Sequence, residues 1–182
     1  MNHPSTIQPF RNYEPFVKVW PSSIPGLGMG LIARRDIKYG QVVCVYTGRC
    51  LKCVTGLRSE YIVQCLWKNP DTGEDETWFL DASSMKTAAG RWVNDACDYE
   101  GVEAFKTGRV NNIAFRLHMG RKPHPVYQQW YVEMYALDDI PMGDELFVRY
   151  GREYWEGFIH YHSFHDPNIL TGSKYEKAMV KF

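Results

Sequence analysis

Three glycines at alternate positions leave a bare stretch of backbone near the start of the chain, in the segment GLGMG at 26–30. Glycine adopts positive φ without strain and has no side chain to keep another molecule away from the main chain. Such a stretch suits a nucleotide-type ligand lying against the backbone. For glycines alone, a tight turn between two strands is the commoner interpretation.

Metal-ligating residue types occur in two further places, the CxxC segment at 50–53 and the segment HYHSFH at 160–165. A structural zinc ion takes four ligands, and neither Cys65 nor Cys97 lies at a recognised interval from the CxxC pair. The histidines alternate with aromatic residues, which indicates a packing segment. We therefore expect no metal, and keep a zinc-organised interaction domain as an alternative.

The strands that must position any site are short and numerous. Each run is rich in β-branched and aromatic residues and is bounded by Gly, Pro, Asn or Asp, the pattern typical of strands. The runs are 16–20, 41–47, 60–66, 77–81, 112–117, 129–136 and 145–150. Segment 83–93 has room for one or two helical turns, and 98–110 is typical of a surface loop. The sequence therefore predicts a mostly β fold with little helix.

That order of elements argues against a dinucleotide-binding βαβ unit. The fingerprint for such a unit needs a strand before the glycines and a helix after them. Here the glycines lead through Leu31-Ile32-Ala33 into RRDIKYG, a turn, and then a strand. A Rossmann-type site is excluded.

Length, charge balance and cysteine count make several classes of function unfavourable for this chain. A chain of 182 residues with 45% hydrophobic residues predicts one globular domain, and 21 basic against 21 acidic residues give no net charge to attract nucleic acid. We expect no direct sequence-specific nucleic-acid binding. The sequence has no apolar run of membrane-spanning length and no signal-peptide core, so we expect no membrane association. An odd count of five cysteines favours an intracellular protein.

Four blocks, taken together, resemble a known family. In chain order they are GLGMGLIARRDIKYGQVVCVYTG (26–48), WFLDASSMKTAAGRWVNDA (78–96), NNIAF (111–115) and IPMGDELFVRYGREYW (140–155). Their order and spacing resemble the SET domain, the fold of most protein lysine methyltransferases, and especially its PR-type and small viral members. The cysteine-rich segment that follows many SET domains is absent from this sequence.

The resemblance implies a fold of several small sheets with a threaded, pseudoknot-like C-terminal segment. It divides the chain into an N-terminal arm at 1–16, a SET domain at 17–152 and an aromatic C-terminal segment at 153–182. Residues 151–168, which are rich in Trp, Tyr, Phe and His, are expected to fold over the cofactor and complete the lysine channel.

The implied activity is transfer of a methyl group from S-adenosylmethionine to a protein lysine, without a metal. A histone tail peptide is the expected substrate, which places the protein in the nucleus, on chromatin. The sequence does not indicate which lysine is methylated, to what degree, or in what oligomeric state the protein acts.

The same resemblance assigns the residues of the reaction centre. Tyr150 falls on the catalytic tyrosine of the family, beside the methyl group being transferred. Tyr46 falls on the tyrosine that lines the lysine channel. Glu145 is expected to be structural, pairing with an arginine or with backbone groups.

The cofactor-binding residues are assigned from both ends of the chain. Leu27, Gly28 and Met29 would offer main-chain groups to the methionine part of the cofactor. Asn94 and the backbone of Asp95 would hold its amino end and adenine. The remaining expected contacts are Arg91 at the carboxylate end, Tyr61 from a strand, and Trp155 over the adenine.

One departure from the family pattern bears on function. Asp95 and Ala96 follow Asn94, where the family has His-Ser. If the family histidine acts through its backbone, aspartate can replace it; if the ring matters, cofactor binding is weakened. A second hypothesis is therefore a PR-type module that binds a peptide or partner with little or no methyltransferase activity.

Overall fold

Eight short strands and one 3₁₀ turn form the regular structure in the described part of the chain. The computed structural model describes residues 14–25, 27–54, 61–84, 88–96, 108–117, 119, 122–151 and 154–155. The strands are β1 (Val17–Pro21), β2 (Met29–Ala33), β3 (Val42–Leu51), β4 (Ile62–Lys68), β5 (Asp75–Asp81), β6 (Ile113–Arg116), β7 (Trp130–Ala136) and β8 (Glu145–Leu146), and the 3₁₀ turn is Ala89–Trp92. The prediction of a mostly β fold is confirmed.

The smaller sheet joins the beginning of the chain to its C-terminal part. Its order is β1-β2-β8, and both pairs are antiparallel. In the central strand β2, Leu31 lies opposite Val19 on one side and Leu146 on the other. Leu31 and Leu146 are both fully buried. Two hydrogen bonds between Ala33 and the 143–144 turn extend the pairing beyond β8.

The larger sheet is antiparallel throughout, in the order β4-β5-β3-β7-β6. The long strand β3 pairs with β7 over most of its length and with β5 at its end. Gly48 lies where β3 passes from one partner to the other. A Cβ there would collide with the backbone carbonyl of Asp81, so only glycine allows the close approach.

The two edges of this sheet also meet. The N–H of Leu66 in β4 donates to the carbonyl of Leu117, and the N–H of Met119 donates to the carbonyl of Leu66, both at 2.8 Å. Residues 117 and 119 follow β6, so these bonds connect the β6 edge to the β4 edge. The sheet therefore curls into a ring instead of leaving both edges open.

The core lies between the two sheets and inside this curl. Its largest fully buried side chains are Leu31, Ile37, Val43, Thr47, Cys65, Leu80, Ile113, Val132, Met134, Leu146 and Val148. Burial of a large aliphatic side chain contributes about 1.5–3 kcal/mol, so these residues supply most of the driving force. Thr47 is the polar member of this set, and its hydroxyl donates to the carbonyl of Trp130 at 2.7 Å.

The 3₁₀ turn packs directly on β3. A Cβ on Gly90 would collide with the carbonyl of Val45, so glycine lets the turn lie against the strand. Glu14 ties the two together: its carboxylate accepts the N–H of Val45 at 3.2 Å and that of Ala89 at 3.0 Å. This residue of the predicted N-terminal arm thus contacts the body of the fold.

Segment 83–93, where one or two helical turns were expected, has the 3₁₀ turn Ala89–Trp92 among its described residues. Sequence reasoning differed from the structure in two elements. It missed β2, whose buried run follows the glycines directly. The strand expected at 145–150 is regular only in β8, after which Phe147 and Val148 make isolated bridges to Asn94 and Ile113. The threading of the C-terminal segment and the three domain boundaries stay predictions.

Most of the aromatic C-terminal segment lies outside the described residues, as do Gly26, residues 160–165 and nearly all of the loop at 98–110. In the part of the chain that is described, no helix is long and apolar enough to cross a membrane.

Burial of Glu14 makes stability depend on pH. Burial raises the pKa of Glu14 to about 7, although hydrogen bonds from Val45, Ala89 and Tyr127 oppose the increase. The folded state then holds the proton more tightly than the unfolded state. The free energy of unfolding should therefore fall as pH rises from about 4.5 to about 7, by up to about 3 kcal/mol.

Urea denaturation between pH 5 and pH 8 measures this effect. Glu14→Gln should flatten the decline, because the amide has no proton to lose. The control is Glu74→Gln, which changes an exposed carboxylate on the β4–β5 turn and should keep the wild-type slope. An unaltered slope in Glu14→Gln would show that Glu14 is not the titrating group.

Candidate active site

A cavity of about 690 Å³ opens between the two sheets. Six parts of the chain line it: 27–29, Tyr46 of β3, 61–66, 91–95, the end of β6 with Leu117, and residues 149–150 and 154–155 of the C-terminal stretch. All ten residues assigned from sequence lie on its wall: Leu27, Gly28, Met29, Tyr46, Tyr61, Arg91, Asn94, Asp95, Tyr150 and Trp155. The structure thus brings the assigned residues together, and their individual roles stay predictions.

The glycines at 28 and 30 serve different purposes. Gly28 has φ of 71°, a left-handed conformation that favours glycine, and nothing in the described structure lies within 4 Å of where its Cβ would be. Its backbone is therefore open to the cavity. A Cβ on Gly30 would instead collide with the carboxylate of Glu145. Gly30 makes room for a protein side chain rather than for a ligand.

The Glu145 carboxylate joins two walls of the cavity. It is buried, and it accepts hydrogen bonds from the hydroxyl of Ser22 at 2.8 Å and the N–H of Ser23 at 2.6 Å. It also accepts one from Nδ2 of Asn94 at 3.1 Å, and the same Nδ2 donates to the carbonyl of Met29 at 3.1 Å. These bonds fix the 22–29 turn against Asn94. Glu145 is therefore structural as expected, with backbone and side-chain N–H and O–H donors as its partners.

Tyr150 is fixed at both its backbone and its hydroxyl. Its N–H donates to Oδ2 of Asp95 at 2.7 Å, and its hydroxyl donates to the carbonyl of Val93 at 2.6 Å. Burial, and then the neighbouring Tyr154, raise the pKa of Tyr150 well above its ordinary value. Tyr150 is therefore a neutral phenol whose proton is directed at Val93, which leaves the oxygen lone pairs as acceptors.

Tyr46 lies on β3 and contributes a second neutral hydroxyl to the same cavity. Its side chain is buried, with its ring edge-on to Phe115 at 5.7 Å between centroids. Burial raises the pKa of Tyr46, and Arg91 opposes that increase only in part. Tyr46 therefore presents a neutral hydroxyl beside the apolar ring of Phe115.

Aromatic side chains from the C-terminal stretch close the opposite side. Trp155 is buried and stacks on Tyr150, with 6.3 Å between ring centroids and 15° between ring planes. Tyr154 packs edge-on against both rings, at 4.8 Å from Tyr150 and 5.2 Å from Trp155. The indole N–H of Trp155 donates to Oδ2 of Asp95 at 3.0 Å.

Arg91 holds neighbouring parts of the protein. Its Nη1 donates to the carbonyls of Ala82 and Ser83 at 2.6 and 2.5 Å, and its guanidinium lies over the ring of Tyr61, 3.8 Å from the centroid. Its Nε is buried and has no hydrogen-bond partner among the described residues. Arg91 and Tyr61 therefore form one unit of the wall, and their expected cofactor contacts stay predictions.

Sequence reasoning missed several residues of the wall. Phe115, Leu117, Arg149 and Tyr154 line the cavity, together with residues 62–66 of β4. Leu117 is a large apolar residue left 48% exposed just after β6, and only the structure reveals that exposure. Phe115 and residues 62–66 reach the cavity through the ring closure between β4 and the segment after β6, which no local pattern reveals. Arg149 and Tyr154 are sequence neighbours of the assigned Tyr150 and Trp155.

The cysteines of the zinc alternative are placed unfavourably for a metal. The Sγ of Cys50 lies 4.0 Å from the sulfur of Met119, and Cys53 is exposed. Burial, and then Cys50, raise the pKa of Cys65 to about 12, so it is a protonated thiol at neutral pH in the metal-free protein. No cluster of three or more metal-ligating side chains occurs among the described residues.

Removing the Glu145 carboxylate should destabilise the protein strongly. Glu145→Ala leaves three donors without this acceptor in a partly buried place, and we expect a loss of about 3 kcal/mol in the free energy of unfolding. Glu133→Ala is the control, because Glu133 pairs with Arg116 near the surface and should cost about 0–1 kcal/mol. Urea denaturation of both variants tests this, and equal losses would contradict the structural role of Glu145.

Comparison with known proteins identifies the family. The SET domain model matches residues 28–151. Histone-lysine N-methyltransferase EZH2 of Chaetomium thermophilum is 29% identical over 130 residues, which are 71% of this chain and only 8% of that protein.

Two solved structures are also similar. The methyltransferase domain of human PR domain-containing protein 2 matches with a TM-score of 0.50 at 20% identity, over 78% of this chain and 81% of that chain. The structure of ctPRC2 in an autoinhibited conformation bound to S-adenosylmethionine matches with a TM-score of 0.49 at 21% identity, over 80% of this chain and 17% of that chain.

The family model covers the glycine turn, the Asn94 region and Tyr150, the same segments that the fold gathers around one cavity. The chain therefore belongs to the SET-domain family.

Proposed function

We propose that this protein is an S-adenosylmethionine-dependent protein-lysine N-methyltransferase and that its substrate is a histone lysine. The observation that carries the proposal is the single cavity shared by the 27–29 backbone, the Asn94–Asp95 pair and the two neutral tyrosines Tyr46 and Tyr150. A methyl donor and an amine acceptor must meet in one place, and this cavity supplies both kinds of wall.

The residues present fit a cofactor built from a nucleoside and an amino acid. A volume of about 690 Å³ is within the ordinary range for a small-molecule site. The open backbone at Gly28 and the polar residues Asn94 and Asp95 lie at one part of the wall. Bound S-adenosylmethionine would supply an electrophilic methyl group on a sulfonium, so the protein itself needs no metal.

The other part of the wall suits the amine. A free lysine has a pKa near 10.4, so presenting its neutral form at pH 7 costs about 4–5 kcal/mol. Phe115, Leu117 and the ring of Tyr46 form an apolar surface that disfavours the charged ammonium. Tyrosine faces also tolerate the cation that forms on transfer.

Tyr150 is the residue best placed to orient the nitrogen. Its proton is committed to the Val93 carbonyl, so its oxygen can accept an N–H from the neutral amine. An amine held in this way has its lone pair directed away from the tyrosine. Alignment of the reacting atoms can by itself contribute several kcal/mol to the rate.

The histone assignment is supported by the name of the EZH2 relative, a histone-lysine N-methyltransferase. The match covers only 8% of that protein, so we propose a class of substrate, the histones, and no particular lysine. The proposed nuclear location follows from this class of substrate.

Tyr150→Phe should abolish most methyl transfer while leaving cofactor binding intact. We expect kcat to fall about 100-fold, as when one oriented polar group is lost from an active site. The affinity for S-adenosylmethionine, measured by calorimetry, should change less than about threefold, because the ring and backbone stay in place. Tyr39→Phe, which changes an exposed tyrosine, is the control.

Transfer of a radiolabelled methyl group to histones and to cell extract supplies the readout. Equal labelling by wild type and Tyr150→Phe would remove Tyr150 from the mechanism. Binding of cofactor or histone peptide without any labelling would instead favour the PR-type binding module.

The raised pKa values of Tyr46 and Tyr150 also predict the pH profile. Both hydroxyls should stay protonated up to pH 10, so tyrosine ionisation should not reduce the rate below that pH. We expect kcat/KM on a histone peptide to rise from pH 7 to pH 9.5 as more lysine becomes neutral. A fall in kcat/KM between pH 8 and pH 9.5, in protein that remains folded by circular dichroism, would contradict this.

A further inference from the structure

Asp95 lies where Tyr150 and the C-terminal stretch meet. Its side chain is buried, with 3% exposed. Both the N–H of Tyr150, at 2.7 Å, and the indole N–H of Trp155, at 3.0 Å, donate to its Oδ2. One carboxylate oxygen thus contacts the residue proposed for chemistry and the residue that closes the cavity.

We propose that the Asp95 side chain is a positioning residue that fastens Tyr150 and Trp155 to the cavity wall. The proposal concerns the carboxylate, whereas the cofactor contact expected from the family resemblance concerns the Asp95 backbone. Its kinetic consequences rest on the proposed function, and its structural consequences do not.

A carboxylate suits this position better than the histidine of the family pattern. A carboxylate oxygen has two lone pairs and can accept two N–H donors at once, whereas a neutral imidazole has a single acceptor nitrogen. Hydrogen bonds to a charged acceptor are roughly twice as strong as neutral ones. The departure from the pattern at this position is therefore matched by the presence of Trp155 as a second donor.

The hydrogen bonds to Asp95 affect more of the wall than Tyr150 and Trp155. The rings of Tyr150, Tyr154 and Trp155 pack on one another, and the Tyr150 hydroxyl reaches back to the carbonyl of Val93. Asp95 holds the backbone at one end of this group and the indole at the other. Weakening the carboxylate should loosen the whole C-terminal wall.

Nuclear magnetic resonance tests the two hydrogen bonds without reference to activity. The chain has six tryptophans, so the indole region of a ¹H–¹⁵N spectrum is simple, and Trp155→Phe identifies the Trp155 signal. In Asp95→Asn the Trp155 indole proton and the Tyr150 amide proton should each exchange about tenfold faster with solvent. Asp139→Asn, an exposed aspartate paired with Lys38, should change neither. Unaltered exchange at both protons in Asp95→Asn would overturn the proposal.

Kinetics separate positioning from general destabilisation. Asp95→Asn should lower kcat about tenfold and weaken S-adenosylmethionine binding, because it loosens both Tyr150 and Trp155. Trp155→Phe keeps the bond from the Tyr150 N–H, so it should weaken binding while kcat stays within about twofold. Trp20→Phe, an exposed tryptophan on β1, should behave as wild type.

The double variant completes the test. Asp95→Asn already weakens the hydrogen bond that Trp155→Phe removes, so Asp95→Asn/Trp155→Phe should bind the cofactor no more weakly than Asp95→Asn alone. If the losses of affinity in the two single variants multiply in the double variant, as for independent changes, the proposal is overturned.

If Asp95→Asn does not fold, Trp155→Phe decides alone, and a tenfold loss of kcat in that variant would overturn the proposal. Wild-type protein that transfers no methyl group would refute the proposed function, and the exchange measurements would still decide the role of Asp95.

Discussion

The arrangement of the cavity depends on the buried carboxylate of Glu145. Taking a carboxylate out of water is costly unless donors replace the lost hydration. Here Ser22, Ser23 and Asn94 provide them, from segments far apart in the chain. The carboxylate holds the glycine turn against Asn94, and Gly30 is glycine because the carboxylate fills the space beside it.

Two acids therefore organise opposite sides of one site. Glu145 joins the N-terminal turn to Asn94. Asp95, which follows Asn94 in the sequence, contacts Tyr150 and Trp155. Between these polar corners the wall is largely aromatic and aliphatic. This division separates a region able to bind the polar groups of a nucleoside from a region that disfavours a charged ammonium.

Sequence reasoning placed the assigned residues well because four blocks of fixed order constrain the fold together. Tyr46, Asn94 and Tyr150 were recognised by their neighbours within those blocks, not by any local preference. The reasoning failed where the cause was long-range. β2 was not recognised as a strand although it pairs with β1 along its whole length, and its second partner β8 lies far away in the sequence. The contact between Asp95 and Trp155 likewise joins residues 60 positions apart.

The pairing of β2 with β8 also has a consequence for synthesis of the chain. Ser22 and Glu145 are separated by 123 positions, so the hydrogen bond between them cannot form until nearly the whole domain has left the ribosome. Contacts of such high sequence separation form slowly, because a long loop must close first. Until β8 is available, β2 can pair with β1 alone, so its other edge stays open, and open strand edges of this kind favour aggregation.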